Sequence, residues 1–163
     1  MDDLRFRPIG VLRTPHTDPS RTPIQPAYAT GIPGRAELLP EYAEGLDDVD
    51  GFSHICLLFA FHRAGAPRLR VKPFLQDVER GVFATRAPCR PNPIGLSLVT
   101  LVAREGNVLR VEDVDMLDGS PLLDIKPFIP RFDVREGARA GWQEDVDEET
   151  ARQLGRRTGR RDR

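Results

Sequence analysis

The stretch with the densest chemical capacity is Arg86–Gly95, RAPCRPNPIG, which gathers Arg86, Cys89, Arg90 and Asn92. Pro88, Pro91 and Pro93 fix φ along it, so the loop is stiff although it is polar. A stiff loop bearing arginine and asparagine preorganises a binding site at low entropic cost. The planar guanidinium fork suits a carboxylate or a phosphate. The bland alternative is a proline-rich crossover with solvated arginines, and the binding reading is preferred to it. Asp118-Gly119-Ser120-Pro121 and Pro23-Ile24-Gln25-Pro26 are, taken alone, a turn and a loop.

Other signatures of chemistry do not occur in the sequence. There is no G-x-G-x-x-G after a strand, no Walker A loop, no G-x-S-x-G elbow and no H-E-x-x-H. No cysteine pair has zinc spacing. His54 and His62 would share one face of an unbroken strand, but no third ligand stands near, so a structural role is expected and a metal is not. Ser53 and Ser97 lack a triad context and are also read as structural. Cys56 lies in an apolar run, where a buried small hydrophobe is expected. Two cysteines, Cys56 and Cys89, make no disulfide framework, and a reducing cytoplasm is the expected compartment.

The chain has 163 residues, of which 39% are hydrophobic and 30% charged, the balance of a globular protein. Its longest apolar run, Ile55–Phe61, is far too short to span a membrane. The start, MDDLRFRPIG, has no apolar region of a secretory signal. The 24 basic and 25 acidic residues leave a net charge of -1, so the chain as a whole is no polyelectrolyte binder. Only Lys72 and Lys126 are lysines; the other basic residues are arginines, the better bidentate anion ligands.

Fifteen prolines and fourteen glycines cut the sequence into short runs, which favours strands over long helices. Strands are expected at Arg7–Arg13, Gly34–Leu39, Phe52–His62, Gly81–Thr85, Ile94–Arg104, Val108–Val111, Asp113–Leu117 and Leu122–Pro127. The apolar run Phe52–His62 predicts a strand covered on both faces. In Ile94–Arg104, Leu96, Leu98, Thr100 and Val102 fall on one face, with Ser97, Val99 and Leu101 on the other. The Glu105-Gly106-Asn107 turn makes a hairpin with the following strand. Residues 14–33 form a long polar connection, and Pro40–Leu46 a short helix or turn. Only Asp145–Arg157 looks helical, with Asp147 as cap and a supporting Glu148/Arg152 pair. A basic tail after Arg156 is expected to fray. The expectation is a single mainly-β domain: a β-barrel core over about residues 5–135, short helices, then a C-terminal helix and tail over 136–163.

FSHICLLFAFHR, GVFATRAPCRPNPIGLSLV and DMLDGSPLLDIKPFIPRFD, in that order, resemble the TsaA-like family of TrmO-type methyltransferases. PIGVLRTPH and PIQPA fit its N-terminal pattern, so the resemblance runs from about Arg7 to about Asp133. It implies a β-barrel homodimer that uses S-adenosylmethionine and methylates N6 of N6-threonylcarbamoyladenosine-37 in tRNA. Implied cofactor contacts are Pro23, Ile24, Gln25, His62, Arg63, Arg86, Leu96, Asp118, Gly119, Ser120 and Pro121. Arg90 and Asn92 are candidates for the substrate, and His62 or Asp118 for the group that accepts a proton; the sequence does not choose between them. Cys89, where the family carries a larger residue, and Ser120, where it carries threonine, depart from the pattern. The alternatives are methylation of a small molecule and a non-catalytic RNA-binding barrel, the latter poorly supplied with stacking platforms at 7% aromatic residues.

Overall fold

The computed structural model describes residues 4–157. Six strands close a barrel: β1 (Gly10–Arg13), β2 (Pro33–Leu38), β3 (His54–Ala60), β6 (Ile94–Glu105), β7 (Val108–Glu112) and β8 (Ser120–Pro127). Their order around the barrel is β1-β2-β7-β6-β3-β8, and every neighbouring pair is antiparallel. Two short strands, β4 (Arg70–Val71) and β5 (Arg80–Gly81), form a separate ribbon within the β3–β6 connection. Helix α1 (Pro130–Asp133) follows β8, and α2 (Glu148–Gly155) lies nearest the C-terminus. Among the described residues no helix is long and apolar enough to cross a membrane.

Alternation along each strand fills the interior. Leu12, Ala36, Ile55, Leu57, Phe59, Val99, Leu109, Val111 and Leu122 are buried in one core cluster. The expected two faces of β6 are borne out: Ser97 and Val99 point inward, whereas Leu96, Leu98 and Val102 lie exposed. Closing six strands this tightly needs strong coiling. Register shifts at Leu101/Ala103 in β6 and opposite Leu58/Phe59 in β8 supply local bends. Gly95 is required for packing, because a Cβ there would run into the Phe59 ring across the ladder. Gly106 turns the β6–β7 hairpin with φ +65.

Several expectations need correcting. β3 is not covered on both faces; its burial alternates, and the outer positions His54, Cys56, Leu58 and Ala60 are half-buried. Cys56 is therefore a half-buried outward thiol rather than a core residue. Gly81–Thr85 is no strand: after β5 the chain turns through Val82–Ala84, with Val82 buried and Thr85 Oγ1 donating to Val82 O. Asp113–Leu117 is irregular, because Asp113 adopts φ 72 and leaves the extended region. Its carboxylate accepts from Gly31 N and Thr100 Oγ1 instead. The expected helix shortens to α2, where Asp147 accepts from Thr150 N at 2.9 Å and Arg152 pairs with Glu148. Residues 158–163 of the expected basic tail lie outside the described residues.

Candidate functional site

Antiparallel closure places three long connections at one end of the barrel. Residues 14–32 join β1 to β2, 61–93 join β3 to β6, and 113–119 join β7 to β8. All the candidate residues except Leu96 and Pro121 lie on these connections or, as Ser120, at the strand end next to them. The opposite end carries the approach to β1 (residues 4–9), residues 39–53, the tight β6–β7 turn and the exit from β8.

The best-defined junction is between the first two connections. Arg86 Nη1 donates to Gln25 Oε1 at 2.5 Å, while Gln25 Nε2 donates to Ile24 O at 2.6 Å. Arg86 itself is exposed, so the rest of its planar donor fork faces solvent. On the same connection Pro23 is buried and Ile24 half-buried. Arg63 Nη1 donates to Thr17 O at 2.9 Å and ties the same two connections together a second time.

His62 stands exposed just past β3, its Nδ1 3.4 Å from Ser120 Oγ. The Ser120 hydroxyl proton is already committed to Leu117 O at 2.7 Å. Nδ1 is therefore the donor in that contact, and the lone pair of the neutral ring falls on Nε2. No hydrogen bond among the described residues engages Nε2. Asp118 is placed differently. Its carboxylate accepts from Thr14 N at 3.1 Å and lies 3.9 Å from Arg13 Nη1. Gly119, at φ +77, completes that turn by donating from N to Leu12 O. Asp118 thus fastens a turn to β1, beside a groove of about 570 Å³ that also bears Arg13, Arg35 and Arg110.

The remaining candidates scatter. Leu96 sits on the outer wall of β6, 49% exposed and opposite Leu58 of β3. Pro121 is half-buried within β8, paired with Val11. Arg90 folds back on its own loop, Nη1 donating to Thr85 O at 3.1 Å, and Asn92 is exposed at the tip. Among the described residues no group of three or more His, Cys, Asp or Glu side chains is gathered as a metal site.

One residue escaped the sequence reading altogether. Asp115 Oδ1 accepts from Ser97 Oγ at 2.5 Å, and Ser97 is buried inside the barrel mouth. Burial pushes the Asp115 carboxyl up to about 7, against the Ser97 hydrogen bond and the Arg86 charge, which both favour its ionised form. Asp115 carried no sequence signal. Between Val114 and Met116 it reads as the solvent-facing member of an alternating pair.

The C-terminal segment packs over these same connections. Trp142 Nε1 donates to Ala84 O at 2.8 Å, and Arg80 lies over the Trp142 ring. Gly155 packs on the Tyr28 ring while its carbonyl accepts from Ile24 N at 2.9 Å. The Arg157 guanidinium stacks on Phe74, 4.3 Å from the ring centroid, and donates to Pro19 O.

Comparison with known proteins names the family. The profile of the tRNA-methyltransferase O N-terminal domain matches residues 11–134. The chain belongs to this family. It is 55% identical over 139 residues to a probable S-adenosyl-L-methionine-binding protein of Pyrococcus abyssi, covering 85% of this chain and 76% of that one. It is 34% identical over 156 residues to the tRNA (adenine(37)-N6)-methyltransferase of Escherichia coli, covering 90% of this chain and 66% of the enzyme. A crystal structure of TrmO from Pseudomonas aeruginosa superposes with a TM-score of 0.72 at 38% identity, over 86% of this chain. This chain spans 63% of that structure. The barrel expected from the TrmO-type resemblance is thus borne out.

Proposed function

We propose that this chain is an S-adenosylmethionine-dependent methyltransferase acting on N6 of N6-threonylcarbamoyladenosine-37 in tRNA. The observation that carries the reading is the junction at one barrel end, where Gln25 and Arg86 from separate connections meet. The donor set fits the cofactor. Arg86 has a solvent-facing fork for its carboxylate, and the half-buried Ile24 on the same connection as Gln25 offers apolar surface for its adenosine. When bound, the cofactor supplies an electrophilic methyl group on a sulfonium.

The protein's tasks are then to orient the acceptor nitrogen, to exclude competing geometry and to take up a proton. The acceptor N6 is a poor nucleophile, since its lone pair is delocalised into the ring and the carbonyl. His62 is the better of the two proton acceptors, because its Nε2 lone pair is unengaged whereas the Asp118 carboxylate is fastened to the β1 turn. His62 Nε2 would take up the proton that N6 gives up on methylation, the methyl group coming from the sulfonium that leaves as a neutral thioether.

The charge distribution supports a polyanionic substrate. Residues 61–93 carry seven Arg or Lys against Asp77 and Glu79. A second copy of the chain would cover the exposed stripe Ile94, Leu96, Leu98 and Val102 on β6, which makes a homodimer part of the proposal. A cytoplasmic location, where its tRNA substrate occurs, completes it.

The test is to incubate purified protein and S-adenosylmethionine with tRNA lacking only the final methyl. Nucleoside mass spectrometry should show conversion of the threonylcarbamoylated adenosine to its methylated form. Cofactor binding without conversion would leave a small-molecule acceptor, and RNA binding without cofactor binding would leave a non-catalytic barrel.

A further inference from the structure

We propose that Arg13, Arg35 and Arg110 form a row on the outer wall of the barrel that holds one backbone phosphodiester of the RNA substrate. The inference rests on the tRNA reading above. Arg13 of β1 lies directly opposite Arg35 of β2, and Arg35 lies directly opposite Arg110 of β7. Alternation turns all three outward, since Leu12, Ala36, Leu109 and Val111 beside them are buried. Neighbouring strands stand about 4.8 Å apart, so the three side chains leave the sheet along a line of about 10 Å. Like charges directly opposite one another destabilise a sheet. The row therefore works against the fold, and a bound anion relieves it.

The carboxylates around the row define what it can hold. Glu37, on the same face of β2, is shared: Oε2 accepts from Arg13 Nε at 3.2 Å, and Oε1 lies 3.6 Å from Arg35 Nε. One carboxylate thus steadies two guanidinium groups and leaves the trio with a net positive charge. No hydrogen bond among the described residues engages the Nη atoms of Arg35. Arg13 Nη1 is 3.9 Å from Asp118 Oδ2, beyond hydrogen-bond reach, and Asp118 is already fastened to Thr14 N. Arg110 Nη1 donates to Glu105 Oε1 at 3.2 Å, and Glu112 lines the same groove. With those carboxylates around it the row does not suit a long polyanion track. The open Nη donors of Arg13 and Arg35 suit a single oxyanion held by two forks.

The row borders the site end. Thr14, Thr17 and Asp118 line its groove of about 570 Å³. Thr17 O accepts from Arg63 Nη1, and Asp118 opens the turn that ends at Ser120, whose hydroxyl meets His62 Nδ1. An RNA strand with its acceptor base at His62 therefore has a neighbouring phosphate within reach of the groove. The carboxylate of the threonylcarbamoyl group is the other oxyanion on the same substrate, and the two sources are separable.

The test is to titrate the full chain with tRNA lacking only the final methyl, and with the same tRNA carrying unmodified adenosine-37. Arg35→Ala should bind both RNAs about tenfold more weakly, the loss of one charge-assisted contact. Its slope of log K against log salt should flatten by about 0.7–0.9. Arg35→Lys should keep the wild-type slope but recover only part of the affinity, since the charge remains and the fork does not. The melting temperature should hold, because the exposed pair with Glu37 contributes little. KM for tRNA should rise while kcat and S-adenosylmethionine affinity stay as in wild type. Glu112→Gln should tighten RNA binding, because it removes a repelling carboxylate from the groove. Unchanged RNA affinity in Arg35→Ala would overturn this proposal alone. A loss confined to the threonylcarbamoylated RNA would give the row to that group's carboxylate. A fall in the mass of the assembly in Arg35→Ala would give it to a second copy of the chain; either result overturns the phosphodiester assignment. Folded wild type that neither binds nor methylates tRNA would overturn the tRNA reading and this proposal with it.

Discussion

At the scale of single residues, the site separates groups that fasten from groups that remain available. Asp118 and Ser120 have their oxygens committed to the backbone of β1 and of their own turn. Arg86 and the Nε2 of His62 face outward. Arg86→Ala should leave the melting temperature unchanged, because the side chain is exposed, yet weaken S-adenosylmethionine binding ten- to hundredfold. That is the scale of removing a charge-assisted hydrogen bond, about 1.5–3 kcal/mol. Arg86→Lys should recover only part, since an ammonium lacks the planar fork. Unchanged affinity in Arg86→Ala would remove this residue from the site. His62→Asn should lower kcat by roughly 10²–10⁴ with folding intact, and wild-type turnover in that variant would return the proton to another acceptor. Asp115 adds a stability signature. Its carboxyl binds protons more tightly folded, at about 7, than at its ordinary value of 3.8. The folded state thus holds more protons across that window, and stability falls as pH rises from about 4 to about 7. Melting temperatures of Asp115→Asn against wild type should show that decline removed.

At the scale of elements, what was legible in the sequence was whatever local alternation fixes. Ser97 and Val99 turned inward and Leu96 and Leu98 outward because a strand has a period of two. The Asp147 cap of α2 and the Gly106 turn were legible for similarly local reasons. Asp113–Leu117 keeps the same alternation, with Val114 and Met116 buried, but it is no strand. Its side chains bond across the barrel mouth to Gly31, Thr100 and Ser97, and such distant partners leave no mark on local pattern. Of the candidate site, physical reading alone supplied the stiff Arg86 loop; most other positions came from resemblance. The role of the C-terminal segment was not legible, since one short helix gives no hint of where it docks. It clasps both site connections, through Trp142 on Ala84 and Gly155 on Tyr28. Gly155→Ala puts a methyl group into the Tyr28 ring and should lift α2 without touching the barrel. Cofactor affinity is expected to fall severalfold while the barrel's melting transition stays in place. If affinity holds although α2 is shown by hydrogen exchange to have opened, the clasp does not position the site.

At the scale of the whole molecule, a net charge of -1 conceals a strong polarity. The site end carries the arginine-rich connection 61–93, while the opposite connection 39–53 carries Glu41, Glu44, Asp47, Asp48 and Asp50 and no basic residue. A polyanion approaching such a molecule is drawn to connection 61–93 and repelled by connection 39–53. The exposed arginines at the attractive end should therefore contribute counterion release on tRNA binding. Removing one arginine–phosphate pairing lowers the steepness of log K against log salt by about 0.7–0.9. Arg68, exposed on the second connection, is a clean probe because it lies outside the Gln25–Arg86 junction. Arg68→Ala should weaken tRNA binding at low salt and flatten the salt dependence by that amount, with S-adenosylmethionine affinity unchanged. Glu44→Gln at the far end should alter neither slope nor affinity by a comparable amount. Titrations of both variants across a salt series distinguish a directed encounter from diffuse attraction. Equal slopes in wild type and Arg68→Ala would mean that the tRNA does not approach over this connection.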